Sequence, residues 1–418
     1  MSAPSEEQLR REAYEHDQED LQETYVDEGD IADVIEGDHM DDDGSDMNDD
    51  GSDMDDDGSY MDEDSAGPSS MQGEEVVLED DSTQGFFLHK EPVFSVDLHP
   101  TQQNLVVSGG GDDRGYLWHL DTGQVVAELD KHEDSVSAVK FSRDGTFVAT
   151  GGMDGKVLVF NVEKRERCAT LEGPDEIQWI CWHPRGNVLL AGAADASMWM
   201  WSLPNGDFMN VFNGHSAPVT CGQFTHDGKR VVSGAEDGTL IIWDPKTADV
   251  VRRFSPEDGR FHSDGITSIA ISDDDNVILT GSMDGTARMV HVNGTILSAM
   301  ENATESVEAV GLCSSMPLAA TGSVDGSLSI WDISSNSVRL RTTLKHDDSV
   351  TNIVWHKDSP LLTSSSMDLT LRTWDARTGE CLRTWKGHQE GVMDFALSND
   401  GNTMVTASDD GCCLVFTA

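Results

Sequence analysis

Basic side chains are scarce: 27 Lys and Arg stand against 78 Asp and Glu in 418 residues, a formal net charge of −51. Phosphate recognition relies on clustered Lys and Arg, so direct nucleic-acid binding is not expected. Basic protein segments are the natural partners of such a field. Cysteine is also sparse, and Cys168, Cys181, Cys221, Cys313, Cys381, Cys412 and Cys413 show no metal-ligand spacing. Adjacent Cys412 and Cys413 on one strand point to opposite faces and are poorly placed to share an ion. The pattern fits reduced buried thiols in an intracellular protein; the expected location is the cytoplasm, with the nucleus as a further site, and no metal or cofactor is expected. No apolar run approaches the roughly 20 residues of a membrane span. The acidic N-terminus reads as neither a secretory signal nor a transit peptide. Catalytic signatures are missing as well, with no Gly-x-Ser-x-Gly elbow and no His-Glu-x-x-His. The phosphate-loop lookalike at Gly155-Lys156 has Thr150 where the first Gly belongs and Val157 after the Lys. An enzyme is not expected.

The acids are unevenly spread. Residues 1–81 hold 32 Asp and Glu against Arg10 and Arg11 alone. Residues 41–61 repeat in sevens built from Asp, Gly, Ser and Met, a block that repels itself and is expected to be disordered. One window there (Asp53, Asp55, Asp57, Gly58, Asp64) mimics a calcium loop. It lacks flanking helices and the bidentate Glu at position twelve, so it reads as solvated acid. Upstream, Leu9, Tyr14, Leu21, Tyr25, Val26, Ile31, Val34 and Ile35 are spaced among acids, a composition able to fold onto a partner. The chain before about residue 74 is expected to be dispensable for folding, because it buries too little apolar surface to offset its ordering entropy.

What is abundant is repetition. An Asp six residues before an apolar strand end recurs at Asp112, Asp154, Asp195, Asp237, Asp284, Asp325, Asp368 and Asp410, with gaps of 42, 41, 42, 47, 41, 43 and 42 residues. The strand ends are Trp118, Phe160, Trp201, Trp243, Val290, Trp331, Trp374 and Phe416. A period of this length marks stacked units, none able to bury its apolar face alone.

These residues resemble the WD40 family, whose repeat is one four-stranded propeller blade. The resemblance implies a buried tetrad of His, Ser/Thr, Asp and Trp in each blade. His89/Ser108/Asp112/Trp118, His215/Ser233/Asp237/Trp243 and His346/Ser364/Asp368/Trp374 match fully. The sets His132/Thr150/Asp154, His262/Thr280/Asp284 and His388/Thr406/Asp410 lack only the Trp. Repeats three and six have no His, and Ala191 replaces the hydroxyl in repeat three, so packing is expected to hold those blades. The fixed repeat offset makes the His–Ser–Asp sets structural and not catalytic. The whole reads as an all-β, eight-bladed WD40 β-propeller over residues 82–418, preceded by a disordered acidic tail over 1–81. The eighth repeat lacks its outer strand, which Thr83–Leu88 is expected to supply. Ser255–Arg260 is an inserted loop that accounts for the 47-residue gap. A closed ring has no long free edge, and the chain is expected to act as a monomer.

In WD40 propellers the turn Asp and the initial His lie near one face. The resemblance therefore places Glu133, Asp134, Asp175, Glu176, Glu236, Asp264, Glu305, Glu308, Asp347, Asp348, Glu390 and Asp409 on that face. Phe94, Met153, Met283, Met367 and Met393 are interleaved with them, and only Lys90, Lys131 and Arg260 oppose the sign. This set is the candidate site for a basic peptide, the Met side chains being able to adapt to a bound chain. Turn chemistry, which favours Asp, accounts for part of the pattern.

Over residues 84–418 the chain resembles the angio-associated migratory cell protein family. Phe86-Phe87 after an acidic leader, Gly151-Gly-Met-Asp154-Gly-Lys, Trp179-Ile-Cys-Trp182-His-Pro and Met198-Trp-Met-Trp201 carry that likeness. Its fungal members are dedicated chaperones of a large-subunit ribosomal protein of the L10 type. The resemblance thus implies an escort that binds a basic extension of such a client for ribosome assembly. The alternative is a WD40 adaptor in a ubiquitin-ligase or signalling complex, for which Trp374-Asp-Ala-Arg377 resembles a receptor element.

Overall fold

Short β-branched and aromatic runs separated by Asp–Gly turns fold into strands and tight connections. The computed structural model describes residues 79–334 and 337–417, in which thirty-two strands form eight four-stranded antiparallel sheets. Each sheet is one blade. The acidic block at 41–61, with its calcium-loop lookalike, and the apolar positions of 1–40 lie outside the described residues.

The innermost strands run Val93–Leu98, Val136–Phe141, Ile177–Trp182, Cys221–Phe224, Ile266–Ile271, Val307–Leu312, Val350–Trp355 and Val392–Leu397, one per blade. Each packs against the next around a central channel, and the eighth returns to the first. There Asp394 Oδ2 accepts from Ser95 Oγ at 3.4 Å and from the Val96 amide at 3.3 Å. The second strands are apolar or small throughout. Phe147–Gly152 is buried at every position, because neighbouring blades cover both faces of the sheet. Gly151 is required by this stacking: a Cβ there would stand 2.7 Å from Ile177 of the next blade.

The ring closes between chain ends, as the missing eighth outer strand implies. Gln84, Gly85 and Phe86 pair antiparallel with Val415, Leu414 and Cys413 and complete the last sheet. The paired segment is shorter than Thr83–Leu88, since Phe87 and Leu88 leave the strand and are 64% and 52% exposed. Attachment begins upstream, where the Asp81 amide donates to the Lys386 carbonyl at 2.8 Å.

The tetrads assemble as hydrogen-bonded chains. In blade 7 Trp374 Nε1 donates to Ser364 Oγ (2.9 Å), which lies 2.7 Å from His346 Nε2, and His346 Nδ1 lies 2.9 Å from Asp368. A carboxylate only accepts, so Nδ1–H donates to Asp368. Blade 4 departs from this arrangement. Thr239 stands between His215 Nδ1 (2.7 Å) and Asp237 (2.6 Å) as a relay.

The two blades without His keep polar turns of a different make. In blade 3 Trp199 fills the space beside Gly173, where a Cβ would come within 2.5 Å of the indole. Trp199 Nε1 donates to Ser197 Oγ (2.8 Å), which donates to Asp195 (2.5 Å). In blade 6 the Thr304 amide and hydroxyl both donate to Asp325 at 2.8 Å. Packing is therefore supplemented there by bonds that the tetrad pattern does not list.

The tetrads carry a pH dependence. Burial raises the Asp410 carboxyl, but His388 and two backbone amides outweigh it and bring it down to about 2. Burial lowers the His262 imidazole, opposed by its bond to Asp284. Both shifts favour the state with fewer protons, so both stabilise the fold at neutral pH and weaken as acid is added. The His262 contribution is lost below about pH 6.5, and the Asp410 contribution between about pH 4 and 2. Thermal melts are expected to hold steady above pH 7, drift down below it and fall steeply under pH 4. Asp410→Asn should flatten the last step, at a cost on the order of 1–2 kcal/mol at pH 7.

Candidate functional site: an acidic rim

Eight equivalent hydrogen bonds build one end of the ring. The amides of Gly111, Met153, Ala194, Glu236, Met283, Val324, Met367 and Asp409, each just before a turn Asp, donate inward. Their acceptors are the carbonyls of Pro92, Ser135, Glu176, Pro218, Gly265, Ser306, Ser349 and Gly391, at 2.8–3.0 Å. The turn of every blade is thereby fastened to the loop that enters its own inner strand. Neighbouring blades also touch along this circle: a Cβ at Gly265 would meet Glu236 of blade 4 and the Met283 sulfur. One at Gly391 of blade 8 would meet the Met367 side chain of blade 7.

On this frame the second residue after the His position is an exposed acid in seven blades: Glu91, Asp134, Asp175, Asp264, Glu305, Asp348 and Glu390. Blade 4 has Ala217 there and presents exposed Glu236 from its turn. Glu133, Glu176 and Asp347 are exposed beside them, and Asp409 is half-buried. Met153 and Met283 are 37% and 44% exposed, and Met367 is half-buried. Phe94, Glu308 and Met393 occupy the second position of their inner strands, all half-buried. At the same position in blades 2 and 7, Ser137 and Thr351 donate to carbonyls of the next inner strand at 2.5 and 2.7 Å. The three residues thus mark the mouth of the channel, Glu308 accepting from Ser306 Oγ at 2.5 Å.

The charge is less uniform than loop positions alone suggest. Lys156 Nζ lies 2.8 Å from Glu133, and Arg372 reaches Asp347 at 2.9 Å and Asp368 at 2.8 Å. Lys156 immediately precedes the third strand of its blade and Arg372 lies on the third strand of its own, both just past the turn Asp and long enough to return to the rim. They correct the expectation that only Lys90, Lys131 and Arg260 oppose the sign. Of those three, Lys131 pairs with Asp113 at 3.1 Å and Arg260 with Asp258 of its own loop at 2.7 Å. Glu133 and Asp347 are therefore partly neutralised. Asp134, Asp175, Glu176, Glu236, Asp264, Glu305, Glu308, Asp348, Glu390 and Asp409 make no ion pair with a described cation.

Deeper in the channel, Lys140 Nζ stands 3.7 Å from Asp97, and Asn352 Nδ2 donates to Asp394 at 2.9 Å. Burial pushes the Asp97 carboxyl up against the pull of Lys140, and Asp97 holds the Lys140 ammonium above its usual range. At the opposite end Arg377 chelates Asp375 through Nε (3.0 Å) and Nη2 (2.6 Å), so this arginine of the receptor-like element is engaged inside its own turn. Among the described residues no group of three or more His, Cys, Asp or Glu is placed to hold a metal ion.

The family model of the WD domain, G-beta repeat, matches residues 82–119 and 123–161, and that of the nucleolar protein 10-like N-terminal domain matches 167–418. The chain is 39% identical to human angio-associated migratory cell protein over 353 residues, covering 81% of this chain and 80% of that one. It is 27% identical over 383 residues to the ribosome assembly protein SQT1 of Saccharomyces cerevisiae, covering 82% and 88%. Among solved structures, it superposes with a TM-score of 0.77 on Chaetomium thermophilum Sqt1 bound to the N-terminus of ribosomal protein L10. That likeness is at 30% identity, over 81% of this chain and 100% of the other.

Proposed function

The chain belongs to the angio-associated migratory cell protein family of WD-repeat propellers, and on that footing we propose that it is an escort for a newly made large-subunit ribosomal protein of the L10 type. The acidic rim supports this reading most directly: ten acids without a cationic partner among the described residues surround a channel mouth set with Phe94 and Met393. Likeness to an Sqt1 solved with the N-terminus of L10 points the same way.

The client segment is an extended basic N-terminal stretch lying across the mouth. Its Arg and Lys side chains meet the free acids, and its apolar groups meet Met153, Met283 or Met367. Each exposed pair contributes roughly 0–1 kcal/mol, so binding is the sum of several and is sensitive to salt. The escort covers cations that would otherwise attract stray polyanions. Release needs no chemistry by this protein, because rRNA competes for the same cations.

The test is anisotropy of a labelled peptide copying the N-terminus of the L10-type protein from the same source, at about 50 and 300 mM salt. Stoichiometric binding that weakens at least tenfold between the two is expected. Equal affinity at both, or no binding at low salt, overturns the reading.

A further inference from the structure

The end of the ring opposite the acidic rim is held by ties between the loops that join first to second strands. In blade 1 His99 Nε2–H donates to the Gly145 carbonyl of blade 2 at 3.0 Å, and in blade 3 His183 Nε2–H donates to the Gly228 carbonyl of blade 4 at 3.2 Å. Asp275 of blade 5 accepts from the His226 and Asp227 amides of blade 4 at 2.7 and 2.9 Å. Asn399 Nδ2 of blade 8 donates to the Pro100 carbonyl of blade 1 at 3.1 Å. Among the described residues, the loop of blade 2 makes no such tie to that of blade 3. It opens with Ser142 in place of a His, and that hydroxyl turns back to Asp144 of the same loop at 2.7 Å. The two blades are joined deeper, where Trp182 Nε1 donates to the Lys140 carbonyl at 3.0 Å.

Where the tie is missing, a hollow of about 640 Å³ opens between blades 2, 3 and 4. Ile180, Trp182 and Phe224 form its floor, and its basic lining residues are Lys140, Arg143, Arg185 and His226. Among the described residues no carboxylate lines it. Lys140 is answered by Asp97 at 3.7 Å, and His226 by Asp275 at 2.9 Å. Close by, Asp227 pairs with Lys229 at 2.8 Å, and Asp144 is held by Ser142 and the Thr146 amide within its own turn. Arg143 and Arg185, both exposed, make no side-chain hydrogen bond or ion pair with a described residue. Two guanidinium groups on adjacent loops, each without a counter-ion, repel one another until an anion lies between them.

We propose that this hollow is a docking site for a short acidic segment of another protein, whose Asp or Glu side chains bridge Arg143 and Arg185. A guanidinium presents a planar fork that takes both oxygens of a carboxylate. The bound carboxylate supplies between blades 2 and 3 the acceptor that a carbonyl or Asp275 supplies between other loops. An apolar side chain of the same segment rests on Pro184 and the floor. The field of a chain with net charge −51 opposes any anion in proportion to its charge. It therefore disfavours RNA more strongly than a segment with a few acids. The hollow lies at the far end of the ring from the rim, so this partner binds while a basic segment occupies the rim.

The probe is a rhodamine-labelled hexapeptide of alternating glutamate and leucine, titrated by anisotropy into the full chain at about 50 mM salt. Saturable binding is expected, with at least tenfold weaker binding of the peptide carrying glutamine in place of glutamate. Arg143→Gln with Arg185→Gln should weaken the glutamate peptide at least tenfold and leave the melting temperature unchanged, since neither side chain holds a described residue. Lys164→Gln with Lys246→Gln removes two exposed cations outside the hollow and should change affinity less than twofold. No saturable binding, equal binding of the glutamine peptide, wild-type affinity in the arginine variant, or an equal loss in the lysine variant would each overturn the proposal. So would tighter binding of oligouridylate than of the peptide, which would make the hollow an RNA site.

Discussion

Replacing Glu236 and Glu308 together by lysine is expected to lower affinity for the basic client segment by roughly a hundredfold at moderate salt, with the melting temperature unchanged. Neither acid has a cationic partner among the described residues, so neither substitution breaks an ion pair there. Glu308 gives up one bond, from Ser306 Oγ. Each site turns an attraction of up to about 1 kcal/mol into a comparable repulsion, and two sites sum to roughly 3 kcal/mol, about two decades. Glu236→Gln with Glu308→Gln should lower affinity about tenfold, and Glu133→Gln with Asp347→Asn is its charge-matched control. Those carboxylates already face Lys156 and Arg372, so neutralising them should change affinity less than threefold. Wild-type affinity in the Glu236/Glu308 variant would move the site away from the acidic rim. A loss as large in the control would show that total charge matters and position does not.

The fold was legible because its signals repeat. The turn Asp recurs at nearly constant spacing, since each blade solves the same problem of tying a turn to a loop, and this fixed the blade count and the strand exchange. The rim was legible for the same reason, as its acids keep fixed offsets from His and Asp. Even so, Glu91 escaped attention, although it stands two residues after His89 as Asp134 stands after His132. The offset alone would have found it. Lys156 and Arg372 could not be placed by offset, because what matters is where a long side chain ends and not where its Cα sits. The Asp97–Lys140 and Asn352–Asp394 contacts lie still further from sequence reasoning. Inner-strand positions carry no repeat signature, and these pairs join residues 43 and 42 apart because consecutive blades pack their inner strands side by side. Trp199 in blade 3 is a third kind of case. A missing His predicts a missing network, yet the space it vacates beside Gly173 admits an indole that rebuilds one.

Removing residues 82–88 is expected to lower the melting temperature by about 10 °C or more and to promote association, because two separate ties are lost at once. The first is the pairing of Gln84–Phe86 with Cys413–Val415, without which the last strand becomes a free edge open to other chains. The second is the Phe86 ring, which is 1% exposed. It stacks on Trp118 of blade 1 at 4.9 Å and 9°, and lies 5.8 Å from His89. One short strand therefore completes the sheet of blade 8 while its side chain packs on the tetrad of blade 1. Phe86→Ala separates the two effects. It keeps the backbone pairing, and truncating a fully buried aromatic costs about 3–5 kcal/mol. Phe87→Ala next to it removes a ring that is 64% exposed and should cost under about 0.5 kcal/mol. Chemical denaturation of both variants reads the difference directly. If Phe86→Ala is as stable as Phe87→Ala, strand pairing alone holds the ring shut, and the contact with Trp118 is incidental.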